Sequence, residues 1–188
     1  MNNGVFAAVL AAGESKRFGP ENKLLFDYRG RVLIQYALDA VVENVSRLCL
    51  ITGHEHERFS FLQNIYNLEV TRNPEYAKGQ SSSVLVAVQR FLASDSEFLL
   101  LHLGDQPSIK SDHIRSLIEL HLTSENQITV SEFSNTFGPP WIMKRECVAD
   151  FQFALLSGDG KAWMKGRDPG RLSLPEAELD IDTRPKDG

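Results

Sequence analysis

Lys16, Arg17 and Lys23 all stand within ten residues of Gly13, in the run Leu10-Ala11-Ala12-Gly13-Glu14-Ser15-Lys16-Arg17-Phe18-Gly19-Pro20-Glu21-Asn22-Lys23. They follow a short apolar stretch, Val5 to Ala12, that stops abruptly at the glycine. A buried strand opening into a glycine turn lined with cations suits a polyphosphate. Gly13 has no Cβ and lets the backbone come close, amide hydrogens can point at phosphate oxygens, and the cations balance the charge. The expected ligand is therefore a nucleotide. A polar surface loop after a core strand has the same composition, so the loop needs support from elsewhere in the chain. It is neither a G-x-x-x-x-G-K-[ST] loop nor a G-x-G-x-x-G fingerprint, because Gly13 and Gly19 are too far apart and Pro20 stands where the lysine should be.

Support comes from three places. Asp105 lies between Gly104 and Gln106-Pro107, after the strongly apolar run Glu97 to Leu103. A carboxylate there, near phosphates, points to Mg²⁺, which takes one or two carboxylates together with water and phosphate oxygens; a turn-forming aspartate before proline is the plainer reading. Gly79-Gln80-Ser81-Ser82-Ser83 opens a helical stretch with three hydroxyls, where capping needs only one. Near the end, alternation in Asp180-Ile181-Asp182-Thr183 puts two carboxylates on one face of a strand, either as a second metal ligand or as an acidic surface. The histidines make a poorer metal site. His54 and His56, beside Glu55 and Glu57, read as a solvated helix start, and His102 reads as a satisfied core histidine.

These residues need elements to hold them. Gly4–Ala11, Arg47–Thr52, Leu68–Thr71 and Glu97–Leu103 are apolar runs of strand length. Between them and after them, helical spacing appears over 32–45, around Phe59, Leu62 and Ile65, over 82–92, and after Ser111-Asp112. The alternation predicts an α/β fold of Rossmann-like, three-layer α/β/α type with a mostly parallel sheet. Unbroken apolar strands are those covered on both faces, and ligands in such sheets bind beyond the carboxyl ends of the strands. The loops at Gly13 and Gly104 then share that edge. The last third predicts a strand over 128–133, a turn at Gly138-Pro139-Pro140, a helix over 145–156, a break at Gly158-Asp159-Gly160, and short closing strands over 171–174 and 179–182. No repeat or linker divides the 188 residues, so one domain over 1–188 is expected.

Net charge is −5 with 42% hydrophobic residues. That balance argues against non-specific binding to nucleic acid or anionic membranes and leaves Lys16, Arg17 and Lys23 as a local basic island. Two cysteines, with no CxxC, give no disulfide framework, and Cys49 inside Leu48-Cys49-Leu50-Ile51 reads as a small buried hydrophobe. With no stretch of membrane-span length, the expected location is cytoplasmic.

Taken together, Leu10-Ala11-Ala12-Gly13-x-Ser15-x-Arg17-x-Gly19-x-x-x-Lys23, Asn73-Pro74, Gly79-x-Ser81-Ser82-Ser83, Leu103-Gly104-Asp105-Gln106-Pro107 and Asp180-Ile181-Asp182-Thr183 resemble, in order, the motifs of the MobA-like nucleotidyltransferases. These share the nucleotide-diphospho-sugar transferase fold. The Ala-Ala-Gly loop and the Gly-Asp-Gln-Pro turn are most similar to the molybdenum cofactor cytidylyltransferase branch. The resemblance implies transfer of a nucleoside monophosphate, CMP from CTP, to a phosphorylated acceptor, molybdopterin, with release of pyrophosphate and with a molybdoenzyme as possible partner. It assigns nucleotide binding to Leu10, Ala11, Ala12, Gly13, Arg17, Lys23, Gly79 and Ser83, catalysis to Arg17, Lys23 and Asp105, and Mg²⁺ to Asp105 and Asp182. The pattern departs from the family at Pro139, at Trp163 and after Thr183, in the part expected to face the second substrate. Those departures leave two alternatives: a non-catalytic nucleotide- or cofactor-binding maturation module, and a sugar-phosphate nucleotidyltransferase.

Overall fold

The structure, a computed structural model, describes residues 4–181. Nine strands and six α-helices occur among them: β1 (Val5–Ala11), β2 (Asp27–Tyr28), β3 (Arg31–Val32), α1 (Ile34–Val42), β4 (Arg47–Thr52), α2 (Phe61–Tyr66), β5 (Glu69–Arg72), α3 (Gln80–Leu92), β6 (Phe98–Leu103), α4 (Ser111–Thr123), β7 (Ile128–Phe133), β8 (Thr136–Lys144), α5 (Arg145–Leu156), α6 (Gly160–Lys165) and β9 (Gly170–Ser173). Seven strands form one sheet in the order β5-β4-β1-β6-β8-β7-β9, and β2 pairs with β3 in a small hairpin. Four of the six ladders in the large sheet are parallel; β8 runs antiparallel to both β6 and β7. The expected α/β fold with a mostly parallel sheet is the fold observed.

The strand residues explain the layering. All seven residues of β1 are buried, so this strand has no solvent face. Successive side chains leave opposite sides of the sheet. Val5, Ala7, Val9 and Ala11 join Ile34, Ala37, Leu38 and Val41 of α1 and Ile114, Leu117 and Ile118 of α4 in one cluster. Phe6, Ala8 and Leu10 join Ala87, Val88 and Phe91 of α3 and Val148 and Phe151 of α5 in the other. Because the helices carry their apolar residues at three- and four-residue spacing, each buries one stripe against the sheet.

The carboxyl ends of the central strands stay close after the ladders stop. The Gly104 amide donates to the Leu10 carbonyl at 3.0 Å, His54 N–H to Ala12 O at 3.2 Å, and Asn73 N–H to Thr52 O at 2.7 Å. Glycine is needed for this crowding. A Cβ on Gly53 would lie 2.5 Å from Tyr76 Cβ and 2.7 Å from Ala12 O, and one on Gly104 would lie 2.6 Å from Ile34 Cδ1.

Several local expectations are corrected. Gly138-Pro139-Pro140 is not a turn but part of β8. The β7–β8 register shifts between Val130 and Ser131, and Ser131 Oγ donates to Pro140 O at 2.6 Å, so the two prolines sit in a bulge where the ladder does not need their missing amides. Helix α1 is shorter than the 32–45 stripe because Val32 belongs to the β2–β3 hairpin, which was not expected. Ile65 is 57% exposed and does not share the buried stripe of Phe59 and Leu62. Residues 175–178 form a 3₁₀ turn, no strand covers 179–181, and Asp182 lies outside the described residues. Helix α6 was not foreseen either; it follows the expected break.

Candidate active site

At the carboxyl edge of β1 and β6 lies a cavity of about 350 Å³. Its wall takes in Leu10 to Arg17, Lys23, Gly79, Ser83 and Asp105, so every nucleotide-binding position expected from the sequence faces the same space. Tyr76, Ala77, Gln80, Leu24 and Leu103 complete it.

The Gly13 loop is held from below. Phe18 is buried and meets Phe26 edge to face, with ring centroids 5.3 Å apart. Ser15, at φ 55°, takes the Lys23 N–H on its hydroxyl at 3.2 Å. Asn22 Oδ1 accepts from Leu24 N–H at 3.1 Å and caps the single 3₁₀ turn, Lys23–Leu25, that carries Lys23. Buried Leu24 anchors that turn. Gly13 itself has nothing within 4 Å of where a Cβ would stand, so its missing side chain leaves open space on the cavity side.

Asp105 comes from the other loop. Its carbonyl accepts from Ile181 N–H at 3.0 Å, and the amide of the buried Gln106 donates to Ala177 O and Pro139 O. The segment after β9 therefore folds back onto the acidic turn. Lys23 Nζ and Asp105 Oδ2 are 2.7 Å apart, with side chains only 14% and 19% exposed. This contact spans 82 residues of sequence and joins the two loops across the rim. Lys16, by contrast, is 80% exposed and pairs with Glu14 at 2.8 Å.

The third wall is the start of α3. Gly79 precedes it at φ 98°, a backbone region open to glycine and strained for other residues, and no side chain caps the helix. No side-chain cap therefore competes for the first-turn amides of α3, although the Ser82 N–H already donates to Gly79 O at 3.1 Å. Of the three serines, Ser83 is buried and lines the cavity, whereas Ser82 is spent on Glu75 O and Gly79 O. Buried Asn73 donates to both hydroxyls, at 2.9 and 3.0 Å, and accepts from Glu75 N–H. Tyr76 was missed by sequence reasoning. Its signal is Gly53, a third strand-ending glycine, whose bare Cα leaves the room that Tyr76 and the Ala12 carbonyl occupy beside it.

The histidines and Cys49 are not among the residues that line the cavity. His56 Nδ1 is 2.6 Å from Thr52 Oγ1, so this histidine is tied to the end of β4 rather than solvated. His102 is fully buried, and among the described residues neither ring nitrogen has a hydrogen-bond partner. It is a core histidine but not a satisfied one, and burial pushes its pKa down to about 3. Cys49 is buried as expected, with its thiol pushed up to about 11 by burial.

Among the described residues no group of three or more His, Cys, Asp or Glu side chains could cage a metal ion. The wall carries two carboxylates, Glu14, which pairs with Lys16, and Asp105, a donor set that fits a cation arriving with its substrate rather than one caged by the protein. No helix among the described residues is long and apolar enough to cross a membrane.

Residues 7–172 match the family model described as the MobA-like NTP transferase domain. The chain belongs to this family. It is 28% identical to purine catabolism protein PucB of Bacillus subtilis, over 94% of this chain and 82% of that protein. It is also 28% identical to the molybdenum cofactor cytidylyltransferase of Escherichia coli, over 93% of this chain and 89% of that one. Among solved structures, a nucleotidyl transferase from Methanothermobacter thermautotroptrophicus superposes with TM-score 0.76 at 21% identity, covering 95% of this chain and 92% of the other. A Mycobacterium tuberculosis protein in complex with manganese gives 0.68 at 23% identity, covering 90% and 88%. These likenesses agree on the nucleotidyltransferase fold.

Proposed function

We propose that this member of the NTP transferase family is a cytidylyltransferase that moves CMP from CTP to a phosphorylated acceptor, molybdopterin, and releases pyrophosphate. The observation that carries the reading is the 2.7 Å contact between Lys23 and Asp105 at the mouth of a cavity walled by the Gly13 loop and the start of α3. A cation and a carboxylate so placed neutralise each other while the cavity is free of substrate. Both are then in position when a triphosphate enters.

An acceptor phosphate oxygen attacks the α-phosphorus in line, and pyrophosphate leaves. The chain supplies no covalent nucleophile; it positions and stabilises charge. Amides of the Gly13 loop and of the first turn of α3 point at phosphate oxygens. Lys23 and Arg17 offset the charge that gathers on the leaving pyrophosphate. Ser83, fixed by Asn73, and the ring of Tyr76 bound the space left for the nucleoside. A divalent cation, which we take to be Mg²⁺ held by Asp105 and by Asp182, supplies Lewis-acid polarisation of the phosphates when bound.

Pyrophosphate release measured with CTP, GTP, ATP and UTP, each with Mg²⁺ and molybdopterin, tests the reading. Turnover with CTP well above the other three is the expected result. Preference for GTP would overturn the cytidylyl assignment, and CTP binding without turnover on any acceptor would favour a non-catalytic carrier.

A further inference from the structure

A second group of cations stands on the far side of the acidic turn, outside the nucleotide cavity. The β6–β8 ladder ends at the pair Leu101–Trp141. Because β8 is antiparallel, its opening residues Thr136–Gly138 lie beyond that pair, on the edge from which Asp105 emerges. The bulge at Pro139-Pro140 shifts β8 there, and Gln106, the residue after Asp105, donates to Pro139 O. Phe137 is buried at this point, only 8% exposed, and two cations cover it. Lys161 Nζ is 5.6 Å and the Arg171 guanidinium carbon 5.9 Å from the ring centroid. Lys161 also reaches Thr136 Oγ1 at 3.4 Å.

The charges are unequal. Glu132 of β7 pairs with Arg171. Among the described residues no carboxylate pairs with Lys161, although the chain as a whole carries a net charge of −5. An ammonium braced on an aromatic face, with no carboxylate partner among the described residues, beside a guanidinium that keeps further N–H donors besides the one given to Glu132, is a seat for an anion. We propose that Lys161 and Arg171, mounted on Phe137, bind the phosphate of the second substrate and bring it to the Asp105 side of the nucleotide cavity. This rests on the transferase reading above and adds the residues that recognise the acceptor.

The test separates the two. Inorganic phosphate is titrated into protein saturated with CTP and Mg²⁺, and in parallel into Lys23→Ala without nucleotide, so that the triphosphate loop is filled in one arm and disarmed in the other. The two tryptophans, Trp141 and Trp163, both pack on Phe151 in the cluster below Phe137 and report binding by fluorescence. Saturable binding is expected in both arms, about tenfold weaker in Lys161→Ala, lost in Lys161→Glu and restored in Lys161→Arg. In turnover, Lys161→Ala should raise KM for the phosphorylated acceptor and leave the CTP affinity unchanged. Phosphate affinity that is absent in both arms, or equal in wild type and Lys161→Glu, overturns the proposal. Failure of CTP to bind the wild-type protein would instead defeat the transferase reading, while the Lys23→Ala arm still decides the phosphate site.

Discussion

The two sides of Asp105 are built differently. On the β1 side, parallel strands end in glycines at the same edge, and backbone hydrogen bonds such as Gly104 N–H to Leu10 O hold their loops in contact. On the β8 side the chain turns antiparallel, a bulge displaces the strand, and the exposed chemistry consists of cations laid on aromatic rings. The first half depends on the close approach of backbone. The second depends on particular side chains. A site of the first kind fails when a methyl group is added; a site of the second kind fails only when its charge changes. On the proposed function, the first side would hold the nucleotide through the backbone and the second would select the acceptor through its side chains.

The largest effects should come from the contact between the two loops. Lys23→Ala and Asp105→Ala should each lower the rate of pyrophosphate release by about 100- to 1,000-fold, the usual loss when one preorganised electrostatic group is removed. Steady-state kinetics read this directly, and a rate near wild type in Lys23→Ala would show that its ammonium faces no developing charge.

Backbone crowding comes next. Gly53→Ala places a methyl within 2.5 Å of Tyr76 Cβ and 2.7 Å of Ala12 O. It should destabilise the fold by about 1–3 kcal/mol, as overpacking does, and weaken nucleotide binding by displacing Tyr76. Gly13→Ala, with open space around it, should leave stability nearly unchanged. Chemical denaturation of the two variants checks the difference; equal stabilities would remove the crowding argument.

His102 gives a pH-dependent effect. Its pKa is about 3 in the folded chain, because burial disfavours the charged ring, and the ordinary value is 6.5. The unfolded chain therefore takes up a proton below about pH 6.5 that the folded chain refuses. Stability from this group is fully present above that pH and is lost as pH falls towards 3, at a limiting slope of about 1.4 kcal/mol per unit. His121, held down to about 4 mainly by burial, adds to the same slope. His102→Leu removes two unpartnered nitrogens and should flatten, without abolishing, the decline in melting temperature between pH 6.5 and 4. An unchanged profile would mean that the ring is solvated.

The smallest effect belongs to Lys16. It is 80% exposed and already paired with Glu14, so Lys16→Ala should alter kcat/KM by no more than about twofold, in keeping with the weakness of exposed ion pairs. A loss as large as that of Lys23→Ala would contradict the geometry.

The same contrast explains how much was legible in the sequence. Apolar runs at 5–11, 47–52 and 98–103, each followed by glycine within a residue or two, specify strands and their shared edge, because buried parallel strands leave a continuous hydrophobic signature. The Lys23–Asp105 contact follows from that edge. The course of β8 does not, since Gly138-Pro139-Pro140 carries every local mark of a turn and only the neighbouring strand accommodates it as a bulge. The β2–β3 hairpin is two residues per strand, too short for a period to show. Burial of His102 was visible in its apolar neighbours, but the lack of a partner depends on what surrounds it in space. Tyr76 and Lys161 sit in segments with no periodicity, and only tertiary contact gives them a place.

Calorimetric binding of CTP at increasing Mg²⁺ to the wild-type protein and to Asp105→Asn tests the joint grip of the two loops most directly. The account predicts Mg²⁺-dependent tightening in the wild type that is largely lost in Asp105→Asn, with the weaker, metal-free binding retained. The same Mg²⁺ dependence in both proteins would show that the Asp105 turn takes no part in holding the triphosphate.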